Sequence, residues 1–522
     1  MNLDKNVFVS LPGLLTIPVF LLVPGCQKEK KSPPNILILM SDNQSWNHLG
    51  CYGDSTVRTP NIDRVSSQGI RFTHAFCAAP SSSPARAAML TGQEIWRLEE
   101  AGNLWGIFPS KFEVFPEKLE KSGYNTGSQG KGWGPGSFEA SGREIDPGGR
   151  GYKSFEDFLN STSDDKPWYF WYSSTDPHRP FNSTGAGSNS GSGTKYGSMT
   201  LGSAIGIASG IDINTVYVPP YLPDNDTVRS DICDYYSEIE RFDTEIGIIL
   251  EKLREKGLED NTIIIICSDN GWQMPCGLAN LYDAGTRVPL IISWKGQIKE
   301  GRVVDDFVSL NDLAPTFLEL ANIKIPEYMT AKSLSGILRS DLSGRVEAER
   351  DHIITARERH AFCREGGLGY PGRSIRTYDF LYIRNYEPGR WPAGDPPLFG
   401  DIDAHMLHYP SPTKLNMMLN KDKPDVKPLY DHAFMKRPSE ELYDLNKDPW
   451  QMNNLAESEE YPDKKKELSD RLDNYLKKTG DPRILGKEII WDNTGYFMTD
   501  DFKPKPDPEV VKLLNLKSEY IY

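Results

Sequence analysis

Asn35-Ile-Leu-Ile-Leu-Met-Ser-Asp-Asn43 is an unbroken apolar run that stops at a serine and an Asp-Asn pair, and Thr262-Ile-Ile-Ile-Ile-Cys-Ser-Asp-Asn-Gly271 repeats the plan. Runs that stay apolar instead of alternating read as strands covered on both faces, the signature of a parallel sheet between helices. Val288-Pro-Leu-Ile-Ile-Ser293 and Trp168-Tyr-Phe-Trp-Tyr172 read as two more. Ligands of open α/β sheets gather just beyond the carboxyl ends of the strands. Both Asp-Asn pairs are therefore expected on that edge.

Working outward, Thr227 to Glu255 predicts a long helix, with Ile232, Tyr236, Ile239, Phe242, Ile246, Ile249 and Leu253 on one stripe and Asp226 as its cap. Strands alternating with helices over this length imply an α/β fold, a large mixed sheet flanked by helices. Residues 182–210, rich in Gly, Ser and Thr, read as a long surface excursion ending in the stiff Val218-Pro-Pro-Tyr-Leu-Pro223. Past about residue 366 the texture changes. Ser374 to Arg384 alternates about a turn at Tyr378-Asp379, as an antiparallel hairpin does. Glu440 to Leu445 predicts a further strand and Tyr461 to Lys478 a helix. The expected organisation is a leader over 1–25, a tether over 26–33, a catalytic domain over 34–366 and a smaller C-terminal α+β domain with an antiparallel sheet over 367–522.

The chain has 522 residues and a net charge of −14. No Lys/Arg-rich run is present to track a phosphate backbone, which argues against nucleic acid as a partner. At the N-terminus, Lys5 precedes an apolar stretch from Val7 to Val23, followed by Pro24-Gly25-Cys26 and a polar, basic segment. Small residues before one cysteine at the end of an apolar segment resemble a bacterial lipoprotein cleavage site. The expectation is an exported lipoprotein, lipid-anchored to a membrane through Cys26, in the periplasm or at the outer membrane. The other cysteines form neither a zinc ribbon nor a dense disulfide framework. A Cys267–Cys276 bridge is one pairing the spacing leaves open.

Two strands that each deliver an Asp-Asn pair can surround one hard cation with oxygen. Carboxylate and amide ligands favour Ca2+ or Mg2+ over zinc. Asp42, Asn43, Asp269 and Asn270 are the metal-ligand candidates, although each pair could equally cap a turn. Between the strands, His74 to Gly92 holds Ser82-Ser-Pro84-Ala85-Arg86, a polar loop running into a helix start. Ser82 at that start meets a field favourable to anions, and Arg86 lies one turn on. A plain serine has no evident general base beside it in the sequence and would need activation by a metal. Lys131 lies in the Gly-rich turn Gly130-Lys-Gly-Trp-Gly-Pro135. Arg357-Glu-Arg-His360 and Arg373 offer bases and a carboxylate for a polar ligand, and Trp272, Tyr370 and Trp391 could stack on a sugar ring.

Ser82-x-Pro84-Ala85-Arg86…Leu90-Thr91-Gly92 resembles the signature of the formylglycine-dependent sulfatases of the alkaline-phosphatase-like superfamily. Residues from about Pro34 to Ile484 follow that family's layout. Asp176-Pro-His-Arg-Pro-Phe181, Val218 to Pro223, Asn280-Leu-Tyr-Asp-Ala-Gly-Thr-Arg-Val-Pro289 and Glu441-Leu-Tyr-Asp-Leu445 resemble its branch of N-sulfoglucosamine sulfohydrolase and bacterial glycan sulfatases. The resemblance implies that Ser82 is oxidised to formylglycine by a maturation enzyme, its hydrate being the nucleophile. It implies Ca2+ held by Asp42, Asn43, Asp269, Asn270 and modified residue 82. Arg86 and Lys131 become bases around the sulfate and His178 the general acid. The implied substrate is a sulfated carbohydrate, attacked at a chain end. Trp133, Arg357, Glu358, Arg359, His360 and Arg373 are the residues expected to bind it.

The chain departs from the family at three places. Asn43 stands where a second Asp is usual, Trp133 where His is usual, and Leu278 where Lys or Arg is usual. Two outcomes are open for the last two: the site leans harder on His178 and Arg86, or Arg287 or another base fills the gap. Ser82 reads either as a natural serine-type site or as a replacement of a nucleophilic Cys. Three rival readings stay open: an N-sulfoglucosamine sulfohydrolase, a phosphatase or phosphodiesterase of the same superfamily, and a catalytically weak binder of sulfated glycans.

Overall fold

The computed structural model describes Met1 and residues 33–163, 165–181, 210–403, 411–498 and 508–517. The expected leader, Cys26 anchor, most of the tether and nearly all of the 182–210 excursion lie outside the described residues. Among those described, no helix is long and apolar enough to cross a membrane. Residues 33–522 cluster as one compact unit.

Seven strands build the main sheet: β1 Asn35–Ser41, β2 Ile70–Phe76, β3 Asn125–Gly130, β4 Trp168–Ser173, β5 Thr262–Ser268, β6 Leu290–Trp294 and β7 Arg302–Ser309, in the order β3-β4-β1-β5-β6-β2-β7. β3, β4, β1 and β5 are parallel neighbours. The run near 288–293, read as another parallel strand, forms β6 and lies antiparallel to both β5 and β2. A parallel return would need a crossover along the sheet. The chain from Asp269 to Pro289 makes only loops and the short helix Asp283–Thr286 before pairing directly with β5.

Both faces are covered, as the apolar runs require. Ile36, Ile38 and Met40 point into one layer with helix α2 (Ser82–Thr91) and helix α3 (Phe115–Lys121), which follow α1 (Pro60–Ser67). Leu37 and Leu39 point into the other, with Ile232, Ile239, Ile246 and Leu253 of α5 (Asp226–Glu255); α4 is Phe155–Ser161. Each such side chain taken fully out of water contributes roughly 1.5–3 kcal/mol. The cap of α5 is Asn225, not Asp226: its side chain accepts from Val228 N. No cysteine bridge forms between Cys267 and Cys276, both of which are free and buried.

The second sheet, β11-β10-β9-β8, is antiparallel throughout and consists of β8 His352–Arg357, β9 Gly372–Thr377, β10 Phe380–Asn385 and β11 Glu440–Asp444. It contains the expected hairpin about Tyr378-Asp379. It also recruits β8, so it begins ahead of the 366/367 boundary read from composition. The helix Pro462–Thr479 buries Leu468, Leu472 and Leu476, a one-turn repeat that forms its core-facing stripe.

Candidate active site

Strand register builds the site. Gly130 lies opposite Ser173, Met40 opposite Ser173, and Ser41 opposite Ser268. Four adjacent parallel strands therefore end in line, and the next residues of the chain are Lys131 after β3, the Ser174–His178 segment after β4, Asp42 after β1 and Asp269 after β5. On one side of this edge α2 begins at Ser82, behind an extended Ser81.

Ser82 Oγ donates to Asp42 Oδ1 at 3.3 Å, and receives Lys131 Nζ at 3.0 Å and Asn270 Nδ2 at 3.4 Å. Lys131 Nζ also meets Asp42 Oδ2 at 2.5 Å. One turn into the helix, Arg86 is fully buried. Its Nε pairs with Asp269 Oδ2 at 2.8 Å and its Nη1 donates to Gly132 O and Ser173 Oγ, both at 2.6 Å. The hydroxyl, the two bases and the two carboxylates expected to act together do stand together.

Electrostatics follow from this packing. Burial works against ionising Asp42, but Lys131, His178 and Arg86 outweigh it and hold the carboxyl well below its usual range. Burial pushes the Lys131 ammonium pKa down despite Asp42. For Arg86, burial is more than offset by Asp269 and Asp42, and the guanidinium stays charged. Burial lowers His178 against the pull of Asp42. Its Nδ1 lies 2.5 Å from Arg179 O. A carbonyl only accepts, so Nδ1 carries a proton and Nε2 is the nitrogen that gains and loses one.

The oxygen donors here suit a hard cation. Asn43 Oδ1 and Asn270 Oδ1 are buried with no hydrogen-bond partner among the described residues. Such an oxygen is costly to leave unsatisfied, and both belong to the Asp-Asn pairs that also carry Asp42 and Asp269. No cluster of three or more His, Cys, Asp or Glu occurs among the described residues. The set is oxygen-only, two carboxylates and two amides, which suits Ca2+ rather than zinc.

The other nominated residues sit apart from the hydroxyl in different degrees. His360 Nδ1 is 2.8 Å from Ser81 Oγ, next to the site, and burial holds its pKa down to about 4. Trp133 turns inward: its indole N–H donates to Ser83 O at 3.1 Å and its ring meets Phe108 edge-on. Arg357 pairs with Asp401 and lies over the Tyr370 ring at 5.3 Å. Glu358 binds Arg373 and Arg483, Arg373 also binds Asp481 at 2.6 Å, and Arg359 donates to the carbonyls of Thr494 and Gly495. These three are buried and serve as internal braces. Trp272 is likewise buried, against His48.

Arg287 does not fill the gap left at Leu278: its Nε donates to Thr73 O at 2.9 Å and its guanidinium lies 3.9 Å above the Trp46 ring. A different arginine reaches that loop. Arg437 Nη2 donates to Asn280 Oδ1 at 2.8 Å, Asn280 Nδ2 donates to Leu278 O, and Ala279 N bonds Pro80 O, two residues before Ser82. Neither Arg437 nor Gln273, which touches Asn43, stood out in the sequence.

The family model described as Sulfatase matches residues 34–146 and 149–323. The N-sulphoglucosamine sulphohydrolase of Homo sapiens is 29% identical over 511 residues, spanning 90% of this chain and 95% of that protein. An ulvan-active sulfatase of Formosa agariphila is 28% identical over 483 residues, spanning 87% of this chain and 76% of that protein. Among solved structures, a protein in complex with its substrate D-glucosamine-2-N,6-O-disulfate matches with a TM-score of 0.61 and 21% identity, covering 88% of this chain and 100% of that one. At that identity the likeness concerns the fold.

Proposed function

The chain belongs to the sulfatase family, the formylglycine-dependent hydrolases of the alkaline-phosphatase-like superfamily, and from that membership we propose that it removes an O-sulfate from a sulfated sugar at a glycan chain end. The observation that carries the reading is Ser82 Oγ held at once by Asp42, Lys131 and Asn270, with Arg86 fixed one turn behind.

Formylglycine at position 82 would supply a hydroxyl more acidic than that of serine, together with a second one through which the site is regenerated. Ca2+, held by Asp42, Asn43, Asp269, Asn270 and residue 82, would supply positive charge beside the sulfate oxygens. The chain's own groups do the rest. Lys131 places an ammonium against the nucleophile's oxygen and favours its ionised form. Lys131 and the start of α2 lie where negative charge develops, and donors fixed in advance there lower the barrier without reorganising. Arg86 holds Asp269 in place. When the S–O bond to the sugar breaks, the electron pair goes to the bridging oxygen, and His178 Nε2 delivers a proton to it. Burial keeps His178 neutral in the free protein, whereas an anionic substrate beside it raises its proton affinity.

Sugar recognition falls to His360, Arg357 and the second sheet, by their proximity to Ser81 and Tyr370. Export through the leader and anchoring at Cys26 place such a hydrolase where glycans arrive from outside the cell. The 29% identity to a human N-sulphoglucosamine sulphohydrolase favours one alternative, an N-sulfate substrate.

The test is mass analysis of the peptide spanning Ser82 after expression with a native maturation system, then sulfate release from O- and N-sulfated monosaccharides. Loss of two hydrogens at Ser82 and release from an O-sulfated sugar support the reading. Serine persisting under those conditions, with no release, overturns it.

A further inference from the structure

Gln273 is one hydrogen bond from Asn43, and its three contacts determine which way that amide faces. Its side chain is buried. Arg179 N donates to Gln273 Oε1 at 3.2 Å. A backbone N–H can only donate, so the Gln273 atom facing it must be the oxygen. The other end then carries the NH2, which donates to Asp403 Oδ1 at 3.2 Å. The same Oε1 faces the Asn43 amide at 3.2 Å. With an acceptor opposite, Asn43 presents its NH2 to Gln273 and its Oδ1 away from it. That Oδ1 is the buried oxygen without a partner. Asn43 is further held by its left-handed backbone (φ 67°) and by its N–H, which donates to Asp269 Oδ1 at 3.0 Å.

We propose that Gln273 is a positioning residue for the cation site, locking the Asn43 carbonyl oxygen toward the ion and committing position 43 to a neutral ligand. The inference rests on the calcium-dependent reading above. Gln273 cannot turn round to suit a different partner, because Arg179 N–H and Asp403 hold opposite ends. An aspartate at 43 would face the Gln273 oxygen with a second carboxylate oxygen, lone pair against lone pair. Asn43 and Gln273 therefore form a matched pair, joined across 230 residues of chain. The bond from Arg179 N to the same Gln273 Oε1 ties the backbone next to His178 to the cation site.

The test is calcium affinity of the full chain, measured by titration calorimetry. Gln273→Met, close in volume but unable to accept these bonds, should weaken binding by about tenfold, the lower end for loss of a partner behind a metal ligand. In an Asn43→Ala background the same substitution should cost less than about twofold, because the amide it orients is gone. An equal loss in both backgrounds, or a change below twofold in the Asn43 protein, overturns the proposal. If Gln273→Met does not fold, Asn43→Asp decides. The added charge should bring no tighter binding, and tightening beyond about threefold contradicts the lock. Wild-type protein that binds no calcium overturns this inference and the calcium-dependent reading together. Calcium binding that is indifferent to Gln273 overturns this inference alone.

Discussion

Arg86 Nε and Asp269 Oδ2 meet at 2.8 Å with neither side chain exposed to solvent at all. Taking one partner away leaves a charge in the interior without compensation, which costs about 3–5 kcal/mol. Arg86→Met should therefore lower the thermal midpoint as well as abolish sulfate release. Arg86→Lys keeps a cation but cannot serve Asp269, Gly132 O and Ser173 Oγ together. It should fold better than Arg86→Met and remain nearly inactive. Calorimetric unfolding beside a sulfate-release assay separates the two effects; a stable Arg86→Met protein would show that the pair contributes little.

Calcium should stabilise the chain. Asp42 and Asp269 follow two paired strand ends together with two buried amide oxygens that have no partner among the described residues, and an ion that binds only the folded form raises stability by about 2.7 kcal/mol at a hundred times its dissociation constant. The thermal midpoint should rise with added Ca2+ and fall again with a chelator. Mg2+ should do less, since two carboxylates and two amides fixed by the backbone suit the larger, less demanding ion. A midpoint indifferent to both ions contradicts the assignment.

Stability should also depend on Asp146. Burial raises its pKa to about 6, although Trp133 N and Gly148 N donate to it and pull the other way. Its unfolded value is about 3.9. The folded chain thus binds more protons than the unfolded chain between these values, and the stabilisation is complete below pH ~4 and lost as pH rises to about 6. Asp146→Asn keeps an acceptor for both N–H groups and removes the titration. Denaturant unfolding from pH 4 to 7 should give a flatter profile for the variant; parallel profiles would assign the dependence elsewhere.

The strands were legible because an apolar run needs cover on both faces wherever it lies, and Asn35–Met40 and Thr262–Cys267 could do little else. The direction of β6 was not, because Leu290–Trp294 reads the same parallel or antiparallel, and only the path from Asp269 to Pro289 decides. The residues that meet around Ser82 were visible as motifs, Asp42 and Asp269 just past strand ends and Ser82 and Arg86 at a helix start. Gln273 was invisible because its partners, Asn43 and Arg179, are distant in sequence and nothing local marks it. The arginines misled for a related reason. Arg359 and Arg373 look like free bases in a string of letters, but their partners, among them Asp481 and the carbonyls of Thr494 and Gly495, lie more than a hundred residues on.

Their partners separate two kinds of residue expected to bind the sugar. Arg373 spends its guanidinium on Glu358 and Asp481 and is wholly enclosed. Arg373→Met leaves Asp481 without that cation, while Glu358 keeps Arg483 at 3.0 Å. The loss should be near the lower end of the ~3–5 kcal/mol range for breaking a buried pair. At a temperature where the variant is folded, its KM should match wild type. His360 touches Ser81, one residue from Ser82. His360→Gln should leave the stability within about 1 kcal/mol of wild type, because an amide can still bond the Ser81 hydroxyl, and raise KM for the sugar. Steady-state kinetics and thermal unfolding on the two variants give opposite patterns if Arg373 braces the second sheet and His360 reads the substrate. A raised KM in Arg373→Met with an unshifted midpoint would reverse those roles.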